Sequence, residues 1–164
     1  MQVCFVRHGP AEPRGEWDGD DFERPLTTDG RQLVAEVAAA ILGRGPSPDV
    51  ILTSPLVRAR QTAGILAECL GIPDRLAVDK RLAPGFGPEQ LLKILRDNSK
   101  RSVLVLVGQE PDLTLTISKL VGRSRIALKR AGVAQVEVVD PKVLKGRLVG
   151  LLSPMICSDP PRPN

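Results

Sequence analysis

Tyrosine is absent from this chain; tryptophan occurs once, phenylalanine three times and histidine once. So few aromatic rings leave little for nucleic-acid bases to stack on. The net charge of +4 is arginine-rich without clustering, so no nucleic-acid partner is expected. Cysteine is scarce too. Cys4, Cys69 and Cys157 are odd in number, widely spaced and never in a CxxC arrangement. That pattern argues against a disulfide framework and predicts buried, reduced thiols in a cytoplasmic protein. No apolar stretch approaches the roughly 20 residues needed to cross a bilayer. Arg7 and His8 interrupt the first apolar run, which does not read as a signal peptide, and no membrane partner is expected.

What is present suits a soluble globular domain: 164 residues, 42% hydrophobic and 26% charged. One domain is expected over residues 1–157. Residues 158–164 form a polar, proline-rich tail expected to be flexible. Short apolar runs at Gln2–Val6, Val50–Thr53 and Val103–Val107 suit parallel strands buried on both faces. Helical patterns lie between them. Leu33, Val34, Val37, Ile41 and Leu42 form one stripe, with Thr27, Thr28 and Asp29 as cap and Gly43 as stop. Leu56, Ala59, Ala63, Leu66 and Leu70 form a second, with Ser54 placed to cap and Pro55 at the first helical position. A third helix is predicted from Pro88 and a fourth from Pro111 to Gly122. Val133–Val139 alternates, and Leu148–Leu152 follows a turn, so these read as an antiparallel edge pair. The expected fold class is α/β: a three-layer α/β/α sandwich with a mostly parallel central sheet.

Three strand-to-helix junctions carry the polar groups: Arg7-His8-Gly9, Ser54 to Arg58, and Gly108-Gln109-Glu110. In open α/β sheets, ligands bind beyond the carboxyl ends of the strands. If the three strands run parallel, two guanidiniums, one imidazole and one amide converge on a single edge. Arg58 in the first turn of its helix adds to a region already favourable to anions. Planar guanidinium forks beside one imidazole suit a doubly charged tetrahedral anion. Taken singly, each residue also fits a plainer role: His8 as a capping residue, Arg58 as a solvated helix residue, Gln109 as structural.

At these positions the chain resembles the histidine phosphatase superfamily, and within it the short SixA-like phosphohistidine phosphatases. The resemblance is carried by Arg7-His8-Gly9, Arg24-Pro-Leu-Thr-Thr-Asp-Gly30, Ile51-Leu-Thr-Ser-Pro-Leu-Val-Arg-Ala-Arg-Gln-Thr62 and Val103-Leu-Val-Leu-Val-Gly-Gln-Glu-Pro111. Ala131-Gly-Val-Ala-Gln-Val136 adds to it more weakly. It implies a phosphoglycerate-mutase-like fold and a nucleophilic His8 that carries the phosphoryl group as a covalent intermediate. The ring must be neutral for that, and Arg7 and Arg58 favour the neutral form. The resemblance further implies that Arg7, Arg58, Gly9 and Gln109 hold the phosphoryl oxygens, with no metal and no cofactor. Implied partners are a phosphorylated protein (phosphohistidine) or a small phosphomonoester, with inorganic phosphate or sulfate able to occupy the site.

One position departs from the pattern. The family places a second histidine where this chain has Gln109. A glutamine amide donates a hydrogen bond but brings no charge, and losing one donor aimed at transition-state charge commonly costs about 10²–10³ in rate. The resemblance therefore implies a phosphatase weakened at this position, with a catalytically impaired phospho-binding or regulatory module as the alternative. A mutase is disfavoured by the short chain. The carboxylates Glu12, Asp18, Asp20, Asp21, Glu23 and Glu110 lie on candidate loops, with Glu12 and Glu110 the candidate proton donors. A phosphohistidine substrate relaxes the need for such a donor, because a protonated imidazole leaves readily. The loop Ala11–Glu23 and the turn Pro84–Pro88 are expected to wall the site. Trp17 and Phe86 read as loop aromatics, either at the surface or in a small satellite core.

Overall fold

A computed structural model describes residues 1–42, 47–122 and 126–154. Six strands form one sheet: β1 (Gln2–Arg7), β2 (Val50–Thr53), β3 (Leu76–Val78), β4 (Val103–Gly108), β5 (Val133–Asp140) and β6 (Lys145–Leu152). Four helices accompany them: α1 (Thr28–Leu42), α2 (Val57–Cys69), α3 (Pro88–Asp97) and α4 (Asp112–Val121). The strand order is β3-β2-β4-β1-β5-β6. β1, β2, β3 and β4 run parallel, while β5 and β6 are antiparallel.

Alternation along the inner strands explains the layers. Val3 and Phe5, Val50 and Leu52, and Leu104 and Leu106 face one side, packed with Leu91, Ile94 and Leu95 of α3 and Leu113, Ile117 and Leu120 of α4. Cys4 and Val6, Ile51, and Val105 and Val107 face the other, packed with Val34, Val37 and Ala38 of α1 and Ala59, Ala63 and Leu66 of α2. Strands buried on both faces must be apolar throughout, which is why these three read as unbroken apolar runs. The chain is the expected α/β sandwich. The β5–β6 pair forms the antiparallel edge, and β6 alternates exposed and half-buried residues along its length.

The helix termini differ in informative ways. Thr27 Oγ1 accepts from the Gly30 backbone N–H at 2.9 Å, so Thr27 caps α1 as its side chain predicts. Gly122 closes α4 at φ 66°, the left-handed stop that glycine tolerates. Ser54, by contrast, does not cap α2. That helix starts at Val57 after an extended Leu56, and Ser54 Oγ is buried without a partner. The Val57 N–H instead donates to the Phe22 carbonyl at 2.9 Å, so the Ala11–Glu23 loop supplies the acceptor that Ser54 was expected to provide. α4 begins at Asp112, one residue after the expected Pro111. β3 has no counterpart among the predicted strands; three half-exposed or exposed residues carry too little pattern to recognise.

Two other expectations are corrected. Cys4 is buried, its thiol pushed up to about 11 by burial, but Cys69 is exposed at the end of α2. Phe86 takes the buried alternative, but in the main core with Leu91 and Leu95 and not in a satellite. Trp17 is half-buried in its loop, with Nε1 donating to the Asp20 carbonyl at 3.0 Å. Cys157, Gly43 and the tail at 158–164 lie outside the described residues.

Candidate active site

Register brings the three polar junctions level. Arg7 pairs with Gly108 at the ends of β1 and β4. The ladder continues one step beyond: His8 N–H donates to the Gly108 carbonyl at 3.0 Å, and Ser54 N–H to the Val107 carbonyl at 2.9 Å. His8, Gln109 and the segment leading to Arg58 therefore leave the sheet at one height. They share a cavity of about 180 Å³ lined by Arg7, His8, Ala11, Arg14, Arg24, Arg58, Gln109, Glu110 and Arg130.

His8 is buried, at 9% exposure. Its Nδ1 lies 2.7 Å from the carbonyl of Gly9. A carbonyl can only accept, so Nδ1 carries the proton and the lone pair resides on Nε2. Burial is the largest influence on the ring's basicity, opposed by the Gly9 contact and reinforced by the charges of Arg58, Arg7 and Arg24. Together they push its pKa down to about 4. The ring is thus neutral at physiological pH, with an unprotonated nitrogen among guanidiniums. The expectation named Arg7 and Arg58 as the cause; desolvation outweighs both.

Arg58 is 2% exposed and closely held. Its Nη1 donates to the Asp21 carbonyl at 2.6 Å, and its Nη2 to Asp21 Oδ2 at 3.0 Å and Gln109 Oε1 at 3.1 Å. Arg7 is anchored differently, through Nη1 to the Leu128 carbonyl at 2.7 Å. Burial lowers the pKa of both guanidiniums, opposed by Glu110 at Arg7 and by Asp21 at Arg58. Arg7 Nε and Arg58 Nε are buried without an acceptor among the described residues, while both side chains line the cavity.

The Gln109 amide is oriented by the same contact. Its oxygen accepts from Arg58, and the opposite orientation would set an NH₂ group against a guanidinium N–H. The Gln109 Nε2 is consequently the donor left for the cavity. The site thus combines one unprotonated ring nitrogen, two anchored guanidiniums and one neutral amide donor, an arrangement suited to a tetrahedral oxyanion.

Comparison with known proteins agrees with this geometry. Residues 3–87 match the model of the histidine phosphatase superfamily (branch 1). An uncharacterized protein of Picosynechococcus is 40% identical over 115 residues, covering 69% of this chain and 68% of that protein. The phosphohistidine phosphatase SixA of Escherichia coli is 34% identical over 84 residues, covering 51% of this chain and 50% of SixA. A solved structure of the protein histidine phosphatase SixA complexed with tungstate superimposes with a TM-score of 0.83 at 25% identity, covering 93% of this chain and 97% of that one. This chain belongs to the histidine phosphatase superfamily. Membership and the likeness to SixA together support a phosphatase.

Within this family member, the structure sorts the expected site residues. It brings Arg7, His8, Arg58, Gln109 and Glu110 into one cavity. Gly9 is placed otherwise. Its N–H donates to Thr62 Oγ1 at 3.1 Å, and a Cβ there would come within 2.6 Å of Val34 Cγ2. The geometry therefore assigns Gly9 to seating α1 against the His8 strand end, with its N–H turned to Thr62. Glu12 does not line the cavity, and its backbone carbonyl accepts from Arg24 Nη1 at 2.6 Å. Glu110 does line it, with Oε1 accepting from Thr114 Oγ1 at 2.8 Å. Of the two walls expected, Ala11–Glu23 contributes Ala11 and Arg14; the Pro84–Pro88 turn contributes no lining residue.

Several participants were not singled out from sequence. Asp21 is the hub of the loop, bonded to Arg14, Arg24 and Arg58. Burial would raise its pKa, but the Arg24 hydrogen bond and the charges of Arg58 and Arg24 bring it down to about 2, so this carboxylate is an anchor and not a proton donor. Thr62 joins the Gly9 N–H to the Arg58 carbonyl, which it reaches at 2.8 Å. Gln61 Oε1 accepts from Leu26 N–H at 2.8 Å. These two contacts give a physical reason for the Gln-Thr pair that follows Arg58 at helical spacing. Arg24, which opens one of the blocks that carry the resemblance but was given no role there, and Arg130 line the cavity as well.

Proposed function

We propose that this protein is a metal-independent phosphatase acting through a phosphohistidine intermediate on His8, with protein phosphohistidine as its substrate class. The observation that carries this reading is the Nδ1–Gly9 contact at 2.7 Å. It leaves Nε2 as the nucleophilic nitrogen of a ring held neutral beside Arg7 and Arg58. In the first step Nε2 attacks phosphorus, the P–Nε2 bond forms, and the substrate's bond to phosphorus breaks. Charge on the equatorial oxygens is met by Arg7, Arg58 and the Gln109 amide. In the second step water attacks phosphorus and the P–Nε2 bond breaks. His8 then leaves as the neutral, Nδ1-protonated ring, and the water proton passes to a base or to solvent.

Glu110 is the proposed proton donor to the leaving group, a reading supported by its position on the cavity wall, which Glu12 does not share. A phosphoramidate substrate depends on it less, because its imidazole can depart already protonated. The arginine-lined cavity supports binding of a phosphoryl group, whether carried by phosphohistidine or by a small phosphomonoester.

The test is to mix the protein with a labelled phosphodonor. Label stable in base and labile in acid is expected on His8, turning over with time, and absent from His8→Ala. Unlabelled wild-type protein sinks the proposal. Gln109 motivates a second reading, a phospho-binding module: stable phosphate binding with no hydrolysis above the His8→Ala control selects that reading.

A further inference from the structure

We propose that Arg130 binds a second anionic group carried beside the phosphoryl group, so that the preferred substrates are phosphoryl compounds with a neighbouring carboxylate or phosphate. The inference rests on the phosphatase reading of the cavity and adds a substrate requirement to it. Arg130 lines the same cavity as His8, Arg7 and Arg58. It has no hydrogen bond and no ion pair among the described residues, whereas Arg14, Arg24 and Arg58 all share Asp21.

The segment bearing Arg130 is fastened to the nucleophile's own strand end. Ala131 N–H donates to the His8 carbonyl at 3.1 Å, Arg7 N–H to the Gly132 carbonyl at 3.0 Å, and Gly132 N–H to the Lys129 carbonyl at 2.8 Å. Arg7 Nη1 adds the bond to the Leu128 carbonyl at 2.7 Å. Ala131 sits at φ 57°, a left-handed conformation uncommon for a residue with a side chain, and these bonds hold it there. Arg130 is thereby presented from a pinned turn and not from a free loop.

Charge balance points the same way. Five arginines line the cavity, Arg7, Arg14, Arg24, Arg58 and Arg130, against Glu110 on the wall and Asp21 paired behind it. Even with both carboxylates charged, five positive less two negative leaves at least three, while a phosphoryl dianion supplies two. The uncompensated charge is assigned to Arg130 because it is the lining arginine with neither a carboxylate partner nor an anchoring bond among the described residues. Lys129, next to it and exposed as Arg130 is, lies outside the cavity lining and serves as the control for general electrostatic attraction.

The second anion has two possible sources, a small molecule or an acidic side chain near a phosphorylated residue, and binding measurements separate them. Calorimetric titrations would use inorganic phosphate and pyrophosphate, and phosphoserine peptides flanked by glutamates or by alanines. Wild-type protein is expected to favour the doubly anionic member of at least one pair by about five- to tenfold, between an exposed ion pair and a charge-assisted hydrogen bond. Dependence in the first pair identifies a small-molecule source, and dependence in the second a protein. Arg130→Ser should reduce the preference to twofold or less, Arg130→Lys should retain part of it, and Lys129→Ser should leave it in place. Equal preference in wild type and Arg130→Ser overturns the inference, as does equal loss in Lys129→Ser. Phosphate binding without any Arg130-dependent preference defeats this inference alone; no binding of any of the four ligands by wild type defeats the phosphatase reading beneath it.

Discussion

Arg58 Nη2 and Gln109 Oε1, 3.1 Å apart, decide which end of the Gln109 amide serves the cavity. Gln109 acts in two directions: its oxygen receives Arg58 and its nitrogen is left to donate. Arg58 does not rely on it, because Asp21 holds the same guanidinium through both a carbonyl and a carboxylate. Replacing Gln109 by histidine therefore leaves Arg58 anchored and introduces a donor that can carry charge. Since charge-assisted bonds are about twice as strong as neutral ones, kcat should rise by roughly tenfold for Gln109→His and fall for Gln109→Ala. Steady-state hydrolysis of an aryl phosphate measures both; a flat or lower rate for the histidine variant contradicts this account of position 109.

The titration of His8 has a predictable signature. With its pKa pushed down to about 4, His8 should give kcat/KM no inflection of its own near the ordinary imidazole value of about 6.5; once the substrate's own ionisation is subtracted, the decline due to His8 should come only as the pH approaches 4. An activity profile with a midpoint near 6.5 assignable to His8 contradicts the buried, neutral ring.

Stability follows from the same shift. Between about 4 and the unfolded value of roughly 6.5, the unfolded chain binds a proton at His8 that the folded chain does not. Stability therefore rises with pH across that window, by at most about 1.4 kcal/mol per pH unit from this one group. Denaturant melts of wild type and His8→Asn from pH 4 to 7 isolate it, since the difference between the two curves should change with pH inside the window and become constant above it. Asp21, held at about 2, acts in the same direction at lower pH: its contribution is present above its ordinary carboxylate range and is lost as the pH falls toward 2, below the His8 window.

Asp21→Asn separates anchoring from charge. It weakens the carboxylate hold on Arg58 while keeping the backbone carbonyl contact, and it removes a negative charge beside the cavity. The expected outcome is a lower kcat, by about three- to tenfold, without a rise in KM, as for a charge-assisted bond that is partly replaced. A rise in KM with kcat unchanged would show that Asp21 acts on ground-state binding instead.

Glu110 is tested by leaving-group chemistry. Glu110→Gln should slow hydrolysis of an alkyl phosphate by about 10² or more, the usual range for a lost general acid, and slow a phosphoramidate much less. Equal losses on both substrates remove Glu110 from the proton-donor role.

Gly30 supports the whole arrangement. A Cβ at this position would overlap the Pro10 carbonyl, where the first turn of α1 meets the chain leaving His8. Gly30→Ala should destabilise the protein by about 1–3 kcal/mol, as overpacking against backbone does, and reduce activity with it. Chemical denaturation reads the first effect and the aryl phosphate assay the second.

Periodicity carried most of the architecture. Val103–Val107 is apolar at every position because both faces of β4 are covered, and the sparse pattern of β6 reflects an edge with one face in solvent. The helices α1, α3 and α4 announce themselves by their apolar spacing and by Thr27, Pro88 and Gly122. Where the expectation missed, a distant residue intervened. Ser54 has the right chemistry for a cap, yet the Phe22 carbonyl, remote in sequence, takes the α2 N–H. Leu76–Val78 joins the sheet because β2 offers an unpaired edge, and its own side chains hardly signal it.

The site divides along the same line. Residue type and position beside a strand end are local properties, so His8, Arg7, Arg58, Gln109 and Glu110 were legible as candidates from the chain alone. Which carboxylate stays charged, which amide end faces the cavity, and which arginine lacks a partner depend on contacts between segments far apart in the chain. Asp21 lies 37 positions from Arg58, and Leu128 lies 121 from Arg7. Such contacts leave no trace in local composition; only the closed fold, through burial and the directionality of hydrogen bonds, assigns those roles.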